Sequence, residues 1–99
     1  MRLVYRDEAL ADLAAITDYH TGRGNPELAA AIMREIDRAI QLRTHEALHH
    51  AARHNPKNDT FEIVLPRLPY IIVYLPGKSS LDIVAVFHTA RHPRLKREP

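Results

Sequence analysis

Two apolar runs separated by five residues constrain this chain more than any other feature. Pro69-Tyr70-Ile71-Ile72-Val73-Tyr74-Leu75 is rich in β-branched and aromatic residues, and so is Leu81-Asp82-Ile83-Val84-Ala85-Val86-Phe87. Runs of this composition and length read as strands, and Pro76-Gly77-Lys78-Ser79-Ser80 between them reads as a turn. So short a connection forces antiparallel pairing. The second run delivers His88-Thr89-Ala90-Arg91 to the end of the sheet, beside an apolar platform.

The first half has a different period. Leu3-Val4-Tyr5 is a short opening strand, after which Asp7 is placed to cap a helix. Ala9, Leu13 and Ile16, extended by His20 and flanked by Tyr19, recur at helical spacing until Gly22 and Gly24 end the pattern. Asn25-Pro26-Glu27 restarts it with a cap, a proline suited to the first helical position and an acidic residue at the positive end of the dipole. Leu28, Ile32, Ile36, Ala39 and Ile40 then form one apolar face, with Arg34, Asp37, Arg38 and Gln41 solvated. The short link between the helices predicts an antiparallel hairpin.

Residues 44–59 break the pattern and read as a frayed helix end followed by an exposed loop. Phe61, Ile63 and Leu65 alternate with Thr60, Glu62 and Val64 as in a half-buried strand. The expected fold is therefore α+β: a two-helix antiparallel hairpin packed on a small, mainly antiparallel β-sheet, in β-α-α-β-β-β order. All 99 residues fit one domain.

Composition excludes several classes. A hydrophobic fraction of 45% argues against disorder, and the absence of cysteine removes disulfides and thiolate metal sites. Met1-Arg2-Leu3-Val4-Tyr5-Arg6-Asp7 has no signal-peptide core, and no apolar run reaches the ~20 residues of a membrane span, so a cytoplasmic location is expected. The net charge of +2 is too small to imply nucleic-acid binding by itself. The positive charge gathers at the end, where Arg91, Arg94, Lys96 and Arg97 face only Glu98.

Three patterns invite chemistry. His45-Glu46-Ala47-Leu48-His49 matches the zinc-peptidase H-E-x-x-H spacing, with His50 and His54 as further candidate ligands. Seven histidines make a chance match unsurprising, and a chain this small has little room for a substrate cleft, so no metal and no cofactor are expected. Gly77-Lys78-Ser79 resembles the tail of a phosphate loop, but Ile72 occupies the position of its first glycine and a strand follows instead of a helix. The remaining segment, residues 88–97, reads either as a solvated basic tail or as a functional surface. As an enzyme it would offer His88 or His92 as a proton shuttle and Arg91 with Arg67 as phosphate clamps; as an inhibitor it would only make contact.

The whole chain resembles the RelE/ParE superfamily of bacterial type II toxins, most closely its ParE-like branch. The resemblance is carried by Asp12-Leu13 with Ile16 and Tyr19, by Asn25-Pro26, by the Pro69–Tyr74 strand, and by Val86-Phe87-His88-Thr89-Ala90-Arg91, which is similar to the family's H-x-A-R signature. The resemblance implies a plasmid-stabilising toxin that poisons DNA gyrase by binding and is neutralised by an acidic, ParD-like antitoxin in a hetero-oligomer. The alternatives it leaves are a RelE-like messenger-RNA endonuclease on the ribosome, with His88, Arg91 and Arg67 catalytic, and an inactive module that only binds antitoxin. The ribonuclease branch often has an arginine after a threonine in the second main strand, where this chain has Phe61 after Thr60. Nor does its terminal Tyr or His stand out in Pro93-Arg94-Leu95-Lys96-Arg97. The expected target contacts are His88, Arg91, His92, Arg94, Lys96 and Arg97; the expected antitoxin contacts are Leu13, Tyr19, Ile32 and Tyr74. Zinc titration of the purified chain is expected to release no heat in a calorimeter, and a saturable signal would revive the H-E-x-x-H reading.

Overall fold

The computed structural model describes residues 2–44 and 53–90. Strand β1 (Arg2–Tyr5) leads into helix α1 (Asp7–Gly22), helix α2 (Pro26–Arg43) and strands β2 (Arg53–Asn55), β3 (Thr60–Val64), β4 (Tyr70–Pro76) and β5 (Ser80–His88). The five strands form one sheet in the order β1-β5-β4-β3-β2. β1 runs parallel to β5, and every other pairing is antiparallel. This is the expected α+β fold with one more strand.

The extra strand is a correction to the loop expected over residues 44–59. β2 pairs with β3 through Arg53↔Glu62, His54↔Phe61 and Asn55↔Thr60. Two side-chain contacts compensate for its weak β pattern. Arg53 donates from Nε to Glu62 Oε1 at 3.1 Å, and the His54 ring lies 4.8 Å from that of Phe61. The turn closes where Asn55 Oδ1 accepts the Lys57 N–H at 3.0 Å and where Asp59 takes φ 55°, a left-handed value that aspartate tolerates.

The start of α1 also differs from expectation. Asp7 is its first helical residue rather than its cap; Arg6 holds the cap position, and its side chain makes no capping bond. The Arg6 N–H is already committed to Ile83 O at 2.9 Å, which extends the β1–β5 ladder by one step. Asp7 and Glu8 instead act on the helix dipole from the first turn. In α2 the signals agree: Asn25 Oδ1 accepts the Leu28 N–H at 3.2 Å, and Pro26 follows it. Gly24, at φ 81°, takes the left-handed turn between the helices.

The helices cover one face of the sheet. Ala9 and Ile16 of α1 and Ile32, Ile36 and Ile40 of α2 pack with Ile63, Tyr70, Ile72, Tyr74, Leu81, Ile83 and Val86. Burial pushes the Tyr74 phenol above its ordinary pKa, an effect partly offset by the Arg43 guanidinium. A second cluster, Ile71, Val73, Ala85 and Phe87, is buried on the opposite face. β4 is therefore apolar on both sides, which is why its sequence is a continuous run without alternation.

Two outcomes follow. Ile72 is fully buried, so Ile72→Ala should lower unfolding free energy by about 2–5 kcal/mol in a urea titration. Arg6 donates to Asp82 at 3.0 Å and, despite the opposing effect of desolvation, holds its carboxyl below the ordinary pKa; Ser80 adds a further hydrogen bond. A lowered folded pKa means stability that is fully present above the unfolded carboxylate pKa and lost as pH falls through the folded value. Asp82→Asn should therefore melt lower than the parent at neutral pH, with the difference closing in acid. A constant difference across that range would count against this ion pair.

Candidate functional site

The register of β5 decides what reaches its end. Tyr74 faces Ile83 and Val73 faces Ala85, so Val84 is an extra residue, a β-bulge. Side chains alternate along a strand, and one inserted residue reverses the alternation beyond it. Leu81 and Ile83 point toward the helices before the bulge; after it Val86 does, while Ala85 and Phe87 join the opposite cluster. His88, two residues past Val86, thus arrives on the helix side opposite Tyr70. Its ring meets the Tyr70 ring edge-on at 5.4 Å between centroids. His88 Nδ1 accepts the Ala90 N–H at 3.1 Å, so in the neutral ring the proton sits on Nε2.

Here α1, α2, the β3–β4 connector and the end of β5 enclose a cleft of about 590 Å³. Ile16, Leu28, Ile32 and Leu68 give it apolar walls, and Asp12, Tyr19, His20, Tyr70 and His88 supply its polar side chains. His20 Nε2 and Tyr70 Oη share a hydrogen bond of 3.1 Å. The Tyr19 ring stands edge-on to His20 at 5.0 Å, and the Arg23 guanidinium lies 5.5 Å from the Tyr19 centroid. A run of ring contacts therefore crosses the site from Arg23 to His88. An apolar body inside ~300–1,000 Å³ with a few convergent polar groups is the form of a binding site.

The sequence candidates separate. His88 lies in the cleft, but Arg67 lines a second hollow of about 320 Å³ with Arg38, Leu42 and Pro66. The structure does not bring Arg67 and His88 into one pocket. Arg91, His92, Arg94, Lys96 and Arg97 lie outside the described residues, as do His45, Glu46, His49 and His50. His54, the remaining member of the histidine-rich stretch, shares a 2.9 Å bond with Asp59 Oδ1 and serves the β2–β3 hairpin. Among the described residues no group of three His, Asp or Glu side chains is placed to hold a metal.

Of the four residues expected to face an antitoxin, Tyr19 is exposed and Leu13 is half-buried against the core. Ile32 and Tyr74 are 2% and 0% exposed. Ile32 touches the cleft only as part of its floor, and Tyr74 sits on a strand flanked by β3 and β5, stacked on Phe61. Tyr74 is a core residue. Leu28, assigned from its spacing to the buried face, is instead 37% exposed at the cleft.

Two contributors to the site were given no role in it from sequence. The His20–Tyr70 bond left no local signal, since its partners are fifty residues apart. Asp12 did leave one: a carboxylate at i+3 from Ala9 and i−4 from Ile16 stands within the apolar stripe of α1. Its Oδ2 accepts the Val86 N–H at 2.9 Å.

Comparison with known proteins agrees with this geometry. Among solved structures the chain is similar to one described as the chromosomal ParDE TA system from P. aeruginosa. The two share 21% identity and a TM-score of 0.72, over 89% of this chain and 95% of that one. No curated protein matches. Residues 3–93 match the family described as the ParE toxin of type II toxin-antitoxin system, parDE. The match takes in both helices, all five strands and the cleft between them, and the chain belongs to the ParE toxin family.

Proposed function

We propose that this toxin inhibits DNA gyrase by binding, without chemistry of its own, and that a cognate ParD-like antitoxin neutralises it. Family membership over residues 3–93 is the observation that carries the reading. The site supports contact over phosphoryl transfer, because Arg67 and His88 open on different hollows. Stabilising a transferring phosphoryl group requires cations converging on one point.

The antitoxin reading draws on the same surface. The neighbour from P. aeruginosa is described as a ParDE system. In this chain the cleft, with Leu28 exposed at its mouth and Tyr19 beside it, suits the apolar face of an amphipathic helix. The net positive charge favours an acidic partner. His88 and the basic residues Arg91, Arg94, Lys96 and Arg97, with His92, are assigned to the target. Gyrase is a cytoplasmic target, and among the described residues no helix is long and apolar enough to cross a membrane.

Expression in bacteria without the antitoxin is expected to give filamentation, a DNA-damage response and loss of supercoiling by purified gyrase. Arg91→Ala should weaken that inhibition about tenfold, the scale of removing one charge-assisted hydrogen bond from an interface. Rapid translation arrest with cut messages would overturn the reading in favour of a ribonuclease, and normal growth at good expression would leave only an antitoxin-binding module.

A further inference from the structure

The outer edge of β5 changes partner halfway along. β1 covers it from Ser80 to Ile83, and the Arg6 N–H closes that ladder on Ile83 O. The chain then turns into α1, and among the described residues no strand pairs with residues 84–88 on that side. On the inner side the Thr89 N–H donates to Pro69 O at 2.8 Å. Hydrogen-bonded positions alternate in an antiparallel ladder, so residues 85 and 87 also point inward and the Val86 N–H points outward. Asp12 meets that amide.

A carboxylate on the α1 stripe is costly there unless its oxygens are used. Its neighbours on the stripe, Ala9 and Ile16, are 0% and 9% exposed. A charge-assisted bond to a backbone amide is among the stronger hydrogen bonds a fold can make. The Asp12–Val86 bond ties the body of α1 to the distal half of β5. It lies two residues before His88 on the strand and two helical turns before His20 on α1, and both imidazoles bracket Tyr70.

We propose that Asp12 is a positioning residue: it fixes the distance between the α1 wall and the β5 wall of the cleft and so holds His88 ready for the target. The inference rests on the reading that the His88 end of the cleft contacts gyrase. Asp12 also lines the cleft, and the effect assigned to it acts through the Val86 amide. Its action is to keep the polar end of the cleft in one arrangement before binding, which reduces the ordering cost that binding would otherwise carry.

The test compares Asp12→Ala, Asp12→Asn and Asp82→Asn in the full chain. Asparagine keeps an acceptor for the Val86 amide, and Asp82→Asn removes a tie from the other end of β5, far from His88. NMR of histidine-labelled protein reads the ring-current shift of His88 over Tyr70, and hydrogen exchange reads the Val86 amide. Asp12→Ala should move the His88 signal toward its random-coil position and speed Val86 exchange about tenfold or more, the scale of removing one hydrogen bond to a charged group. It should also weaken gyrase inhibition by a similar factor. Asp12→Asn should restore most of both effects, while Asp82→Asn lowers the melting point and leaves both unchanged. An unmoved His88 signal in Asp12→Ala would overturn the inference, and so would a moved signal with undiminished inhibition. If the parent chain does not inhibit gyrase, the target reading fails separately, and the NMR comparison still decides whether Asp12 positions His88.

Discussion

The pairing of β4 with β5 is the constraint on which the rest of the molecule depends. It runs from Tyr70↔His88 to Pro76↔Leu81 and passes through one irregularity at Val84. β4 is apolar on both faces and so is β5 from Ile83 to Phe87, so hydrophobicity alone does not fix which of those residues meet the helices. Val84-Ala85-Val86-Phe87 would be tolerated in either phase, since each face ends in a buried cluster. The inserted residue selects one phase. It places Val86 under the helices, Phe87 behind the sheet and a titratable ring where strict alternation from Ile83 would have put an apolar one. Bulges re-aim side chains beside functional sites, and here the re-aimed side chain is His88.

The other elements complete that pair without rearranging it. β3 extends the sheet on one side through Phe61↔Tyr74 and Ile63↔Ile72. β2 is a short outer edge whose charged Arg53 and ring-bearing His54 are both engaged with β3 or its turn. Short edges carrying charge resist pairing with another chain. On the opposite side β1 runs parallel to β5, a pairing that the long excursion through α1 and α2 and the later strands permits. That arrangement carries the first helix across the half of β5 that β1 does not cover. The Arg6–Asp82 ion pair and the Asp12–Val86 bond are two stitches along one seam, the first surface-exposed and the second beside the core.

Much of this was legible in the sequence, for identifiable reasons. The two helices announced themselves through the spacing of Ala9, Leu13 and Ile16 and of Ile32, Ile36 and Ile40, and Asn25-Pro26 marked their division within a residue. β4 and β5 were legible because the chain between them is too short for any other pairing. β2 was not, because Arg53-His54-Asn55 has no apolar residue and is held by partners on β3 that only tertiary structure supplies. Tyr74, named as an antitoxin contact with the resemblance, sits on a doubly flanked strand, which makes it core. The cleft was invisible for a related reason: it joins residues 12–32 to residues 68–88, and nothing local records that distance. The phase of β5 was hidden by its uniform apolarity, although Asp12, a carboxylate on an apolar stripe, was a local sign that a polar group on another element awaited it.

The arrangement of the described residues fits the proposal that this protein acts by contact. Catalysis requires several charged groups to converge on one reacting centre, and each such group constrains its neighbours. Recognition asks for less: an apolar hollow of the right shape, a few polar atoms to fix register, and walls that are in place before the partner arrives. The cleft has apolar walls from both helices, a run of rings from Tyr19 through His20 and Tyr70 to His88, and one carboxylate spent on holding strand to helix. Tyr19 and His20 lie off the β4–β5 ladder, whereas Tyr70 and His88 form its terminal pair, so the cleft is built on the end of the fold's main constraint. On the proposed reading, such a scaffold changes what it grips by altering the few side chains at that end, while the rest of the pairing that builds the sheet stays the same.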